Sequence, residues 1–292
     1  MDLCTYASRG VNLAAISEIH DFGRPRAASL RSGKTGVRRC CMRRWKTERS
    51  CRPDPPPDAL VLPAALCHRS SMCGRFTANY TWAELVELYR LSDDMPARNL
   101  EPRYNAAPTQ EVPVCRLGPD GKREIVSLRW GLIPFWAKDE KIGYKTINAR
   151  AETAHEKPAF RDAFKKRRCL IPTNGWYEWR EEGDGKQPYL LSLPTTPFSL
   201  AGLWESWKGA DGYLQSFTIV VGSAAPEIAE YHDRMPVVLL QDQYDEWLSQ
   251  ETDAGVARDL LGDVYAGPFD VRKVSRRVNS PRNDDPDLIE AA

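Results

Sequence analysis

None of the eight cysteines forms a CxxC pair, and the 292 residues include only four histidines. Such usage argues against a structural zinc site, which needs closely spaced thiolate and imidazole ligands. No window of about 18 apolar residues exists, which excludes a helical membrane span. The apolar stretch Leu60–Leu66 is too short and lacks a convincing small-residue cleavage site, so no secretory signal is expected. No internal repeat is visible.

An excess of one charge is also missing, since the chain nets only +1. That balance hides an asymmetry. Residues 1–71 hold 13 Lys/Arg against 6 Asp/Glu, a net of +7. The remaining 28 basic and 34 acidic residues net −6. A mildly acidic body argues against a binder that coats DNA by bulk charge, so any nucleic-acid contact must come from a local basic groove. Cysteine is as lopsided: Cys4, Cys40, Cys41, Cys51 and Cys67 precede residue 72, and only Cys73, Cys115 and Cys169 follow. Three scattered cysteines fit a reducing cytoplasm.

Hydrophobic residues (42%) and charged residues (28%) are at ordinary levels for a globular protein, but the first 71 residues lack the patterning of one. That segment has no sustained period of 3.6 or 2, and carries arginine clusters and the run Pro55–Pro57. It cannot bury enough apolar surface to offset its ordering entropy, so disorder is expected. Three readings stand: a basic arm for nucleic acid, an organelle presequence, and translation that begins at Met72. The last is favoured.

After Met72 the texture changes. Thr81 and Glu84 form a capping box ahead of Leu85, Leu88 and Tyr89, which predicts a short amphipathic helix over 82–91. β-rich runs follow at 112–117, 124–133, 168–180, 188–193, 198–206 and 214–222, separated by turns such as Pro119-Asp120-Gly121. Helical patches fit 158–166, 225–231 and 241–250. Many strands with few, non-alternating helices indicate a single α+β domain around a mixed or antiparallel, barrel-like sheet. The polar stretch 280–292 is expected to fray.

Six short segments place polar residues in otherwise apolar, aromatic-rich sequence: Met72–Phe76, Tyr104–Pro108, Trp130–Pro134, Ile147–Thr153, Cys169–Trp179 and His232–Pro236. Asn148 and Arg150 alternate, so an extended backbone points both to one face. Glu178 lies among Trp176, Tyr177 and Trp179; aromatic neighbours desolvate a carboxylate and raise its pKa, which suits a group that gives and takes protons. Trp130, Trp136 and Trp179 are candidates for stacking on unpaired bases, with core packing an equal alternative. Arg161, Lys165, Lys166, Arg167 and Arg168 form a basic cluster that can extend a groove.

In this order the six segments closely resemble the SRAP family, the SOS-response-associated peptidases or abasic-site processing proteins, from Met72 to about Asn279. The resemblance implies one SRAP domain over 72–279. It also implies a covalent bond between an N-terminal cysteine and an abasic site in single-stranded DNA. The family signature starts at the initiator methionine with cysteine next, whereas Met72–Cys73 lies inside this chain. The chemistry needs the free α-amine of Cys73, because an amide nitrogen cannot form an imine with the sugar aldehyde. By the same resemblance, Asn148 lies beside the cysteine amine and the sugar, and Arg150 and Arg234 hold phosphate. Glu178 is the general acid/base and the source of any lyase activity, and His232 assists ring opening and crosslink reversal. Arg75 is placed to bind the adjoining phosphate. No metal or organic cofactor is implied, and a monomer in the cytoplasm, on the nucleoid if bacterial, is expected, with replication-associated partners left open. Two alternatives remain: a cysteine hydrolase built on Cys73, His232 and Glu178 or Asn148, and a non-covalent reader of modified or single-stranded DNA.

Overall fold

The protein is described here by a computed structural model covering residues 73–92 and 95–292. The expectations for residues 1–71 lie outside the described residues.

The chain opens with β1 (Phe76–Ala78), α1 (Trp82–Tyr89), β2 (Arg103–Ala106), β3 (Glu111–Leu117), β4 (Arg123–Trp130) and β5 (Asn148–Arg150). There follow α2 (Arg161–Lys166), β6 (Arg168–Thr173), β7 (Gly175–Glu182), β8 (Gly185–Ser192), β9 (Phe198–Gly209) and β10 (Gly212–Ser223). The last elements are β11 (Arg234–Pro236), β12 (Val238–Leu239), α3 (Tyr244–Leu248), α4 (Ala254–Gly262) and β13 (Asp270–Lys273).

Five strands close into a ring in the order β10-β4-β3-β6-β9 and back to β10. The β10–β4 pairing is parallel and the others are antiparallel, so the barrel is mixed. A second sheet, β13-β8-β7-β1-β2, is antiparallel throughout. This is the expected α+β domain.

Barrel closure requires close backbone approach. A Cβ on Gly202 of β9 would lie 2.1 Å from Ile171 Cδ1 and 3.1 Å from the Thr218 carbonyl, so a side chain there would have to displace Ile171 and crowd the facing strand. Gly131 ends β4 at φ +115°, and a Cβ there would lie 2.6 Å from the Gly143 carbonyl. That turn accounts for the glycine in the Trp130–Pro134 segment.

The predicted first helix forms with its capping box, and Leu85, Leu88 and Tyr89 are buried. The run 168–180 divides into β6 and β7 at Asn174. Residues 226–231 form turns rather than a helix. The patch has Ile228 N–H on the Ala225 carbonyl and His232 N–H on the Ile228 carbonyl, but no continuous ladder.

The C-terminal stretch does not fray. Leu288 is fully buried, Val274 bridges to Ala291, and the Asp284 carboxylate accepts from the amides of Tyr104 (2.5 Å) and Asn105 (2.9 Å) and from Arg103 (2.6 Å). Asn105 returns the grip, donating Nδ2 to the carbonyls of Val278, Ser280 and Asn283. A polar composition concealed this strap because its partners are main-chain and side-chain groups of β2, over 170 residues earlier.

Candidate functional site

Strand β1 pairs with β7 through Phe76 and Trp176, and the Tyr177 amide extends the ladder by donating to the Arg75 carbonyl. This register carries the segment before β1 along β7 to Glu178. There the Cys73 thiol donates to a Glu178 carboxylate oxygen. Both are almost wholly buried, at 2% and 1% exposure.

The third member comes from the barrel. Strand β10 pairs in parallel with β5, setting Ile219 opposite Asn148 and Val221 opposite Arg150. Asn148 is buried and donates Nδ2 to the Cys73 carbonyl at 3.0 Å, so it holds the main chain of the cysteine.

Burial pushes Glu178 up to about 8, and the negative charge of Asp233 adds to the rise. The hydrogen bond from Cys73 opposes it without overcoming it. Burial also raises the Cys73 thiol, and the Glu178 charge raises it further, so the sulfur stays protonated at neutral pH. A carboxyl that titrates near 8 can both donate and accept a proton at physiological pH.

Asp233 belongs to the turn that delivers His232. The His232 ring is buried, and its Nδ1 accepts from the Arg234 amide at 2.9 Å and lies 3.0 Å from Asp233 Oδ1. Arg234 then enters β11 opposite Ser223, on the other side of β10 from Arg150. The two arginines thus flank the end of one strand. Arg150 is exposed, whereas Arg234 donates through Nη1 to both carboxylate oxygens of Glu152 at 2.6 and 2.8 Å.

Cys73 therefore touches both Asn148 and Glu178, while His232 lies beside Asp233, whose charge bears on Glu178. Other expected site residues lie elsewhere. Trp130 is buried at 1% exposure, donates Nε1 to the Ile147 carbonyl and packs on Phe76 and Phe217. It is a core residue and cannot stack on a base. Arg168 is buried, with its guanidinium on the carbonyls of Phe164, Trp247 and Ser249, so it joins β6 to α3 and no groove. Arg167 is paired with Glu205 at 2.6 Å, while Arg161, Lys165 and Lys166 are exposed on α2. Arg75 is half-buried and donates to Asn105 Oδ1 and to the Val278 and Asn279 carbonyls, so its main engagement is with the C-terminal strap. Trp179 is partly exposed and donates Nε1 to Asn279 Oδ1 at 2.7 Å.

Sequence reasoning missed Asp233, Glu152 and Phe135. Phe135 is 54% exposed beside Trp136 at 48%, and it shares a shallow depression with Lys165 and Lys166. Their neighbours in the Trp130–Pro134 segment gave a signal, but it drew attention to the buried tryptophan instead.

A mixed five-stranded barrel, joined to an antiparallel sheet and holding a buried cysteine against a buried carboxyl, defines a single α+β domain with an internal proton-sharing pair. The family description "SOS response associated peptidase (SRAP)" matches residues 72–281, and the chain belongs to that family. It is 40% identical over 224 residues to the abasic site processing protein YoqW of Bacillus subtilis (strain 168), with 75% of this chain matching 100% of that protein. It is 28% identical over 261 residues to the abasic site processing protein HMCES of Gallus gallus, covering 75% of this chain and 77% of that one. A crystal structure of a protein from Bacteroides thetaiotaomicron is similar at a TM-score of 0.65 and 28% identity, over 75% of this chain and 100% of the other.

Proposed function

We propose that the protein senses abasic sites in single-stranded DNA and shields them by a covalent thiazolidine to Cys73. The observation that carries this is the direct contact between the Cys73 thiol and a buried Glu178 that titrates at about 8. Relatives named as abasic site processing proteins supply the substrate class.

An abasic deoxyribose opens to an aldehyde. The Cys73 amine adds to the aldehyde carbon, and Glu178 donates a proton to the resulting hydroxyl, which leaves as water. The thiol then adds to the iminium carbon while its proton passes to the Glu178 carboxylate. One C–N and one C–S bond form, one water is released, and no oxidant, metal or organic cofactor enters the balance. A protonated thiol suffices because the iminium is a strong electrophile and the base is already in contact. Asn148 holds the Cys73 carbonyl, fixing where the amine points. His232 assists opening of the sugar ring and reversal of the bond, and Arg150 and Arg234 hold flanking phosphates. The exposed Phe135 and Trp136 with Lys165 and Lys166 suit a path for unpaired bases.

Ring closure needs Cys73 as the first residue. Translation from Met72 with methionine removal, or cleavage before Cys73, provides that. The family match beginning at residue 72 supports it, as does full coverage of YoqW by three quarters of this chain. A hydrolase built on a Cys73 thiolate has less support, because burial holds the thiol protonated and such nucleophiles need a lowered pKa. Mixing protein that starts at Cys73 with abasic single-stranded DNA tests the proposal: a covalent band supports it, and binding without a band refutes it.

A further inference from the structure

The turn that leads into His232 and Asp233 has no continuous ladder of its own, so side chains must fix its place in the fold. Ile228 anchors its inner side in the core. Its outer side is held by Arg180. Glu178 and Arg180 alternate along β7 and share one face, and Tyr189 of β8 stands directly opposite Glu178 on that face. The Tyr189 ring is buried and packs on Tyr231 of the turn, with ring centroids 4.8 Å apart. The Arg180 guanidinium lies over both rings, 4.7 Å from the Tyr189 centroid and 5.2 Å from that of Tyr231. A cation over aromatic faces is a favourable contact. Arg180 also donates to the Tyr189 hydroxyl at 2.6 Å, to Glu182 at 3.0 Å and to Glu230 of the turn at 2.6 Å. One side chain thus ties β7 to β8 and both to the turn.

Building on the proposed chemistry of Cys73 and Glu178, we infer that Arg180 is a positioning residue: seated on Tyr189 and Tyr231, it holds the His232 turn in place and keeps one flank of Glu178 closed to water. Its charge is engaged by Glu182 and Glu230, and it acts on Glu178 through the rings. The groups that bear on the carboxyl are the Cys73 thiol from the arm before β1 and Asp233 from the turn, with Tyr189 opposite it on β8. Releasing the turn admits water and moves the Asp233 charge away. Both changes favour the ionised carboxylate and lower its pKa. Loss of the Arg180 cation alone has the opposite sign, because it takes away a positive charge two residues along the strand. The direction of the shift therefore separates a wall held by Arg180 from a simple charge effect.

The test follows the Glu178 carboxyl in the full chain by carboxyl-carbon NMR of glutamate-labelled protein, the signal being identified by its loss in Glu178→Gln. The unaltered protein should titrate at about 8. Arg180→Ala and Tyr231→Ala should each lower the midpoint by about one pH unit or more. Tyr231→Phe keeps the ring and should hold the midpoint where it is in the unaltered protein. In protein that begins at Cys73, the pH inflection of the crosslinking rate should move with the midpoint. A midpoint that stays or rises in Arg180→Ala overturns the inference, even where that variant loses stability, because a mere brace would not move the titration. A fall in Tyr231→Phe equal to that in Tyr231→Ala also overturns it, since the ring is the proposed seat. If Arg180→Ala does not fold, the two Tyr231 variants decide. Absence of any crosslink from the unaltered protein defeats the proposed function instead, and the titration still decides whether Arg180 closes the wall.

Discussion

The Cys73 thiol donates to Glu178 because β1 and β7 pair with Phe76 opposite Trp176, which carries the residues before β1 along β7 to the carboxyl. The thiol and its carboxyl partner are thereby built into one ladder, inside a buried enclosure that lifts the carboxyl to about 8.

Replacing Glu178 with glutamine preserves shape but removes the titration. In protein beginning at Cys73, crosslinking should slow by about 10²-fold or more, the usual scale of general acid–base catalysis. The unaltered protein should show an inflection in rate near pH 8, and the variant should lose it. Equal rates at every pH would remove Glu178 from the chemistry.

The same group leaves a mark on stability. Its folded pKa is raised, from 4.5 to about 8. Below about pH 4.5 the carboxyl is protonated in both states and its contribution is fully present. As pH rises through 8 the unfolded chain is ionised while the fold must ionise a buried group, so stability falls. Denaturant midpoints should drop between pH 5 and 9 and drop less in Glu178→Gln. A parallel decline in both proteins would contradict the shift.

Trp130 and Arg75 test the division between core and surface. Trp130→Ala should cost about 3–5 kcal/mol of stability by leaving a cavity beside Phe76 and Phe217. Arg75→Ala should loosen the C-terminal strap, because it strips donors from the Val278 and Asn279 carbonyls and from Asn105. Hydrogen exchange of residues 276–289 would report this. Arg150→Ala, by contrast, should leave stability unchanged and flatten the salt dependence of DNA binding by about one phosphate's worth of slope.

The α+β class and the major strands were legible because alternation, capping and turn residues are local signals. So were Cys73, Asn148 and Glu178, which lie in compact polar interruptions of apolar sequence. Trp130 misled because tryptophan serves cores and bases alike, and only the barrel shows which side of β4 it faces. The strap over 276–289 misled because it is held by contacts distant in sequence. Asp233 and Glu152 act through charge on Glu178 and Arg234, and proximity of that kind has no local signature.

The most direct measurement compares two proteins that start at residue 73, one with Cys73 and one with Cys73→Ala. Each is incubated with abasic single-stranded DNA, with and without borohydride, and then heated in denaturant. A thiazolidine has no C=N bond to reduce, whereas an imine does. The cysteine protein should give a heat-stable adduct without reductant and little strand cleavage. The alanine variant should give one only when reductant is present, and its open imine should allow cleavage by β-elimination. An equally stable adduct from the alanine variant without reductant would place the attachment elsewhere and contradict the assignment of Cys73.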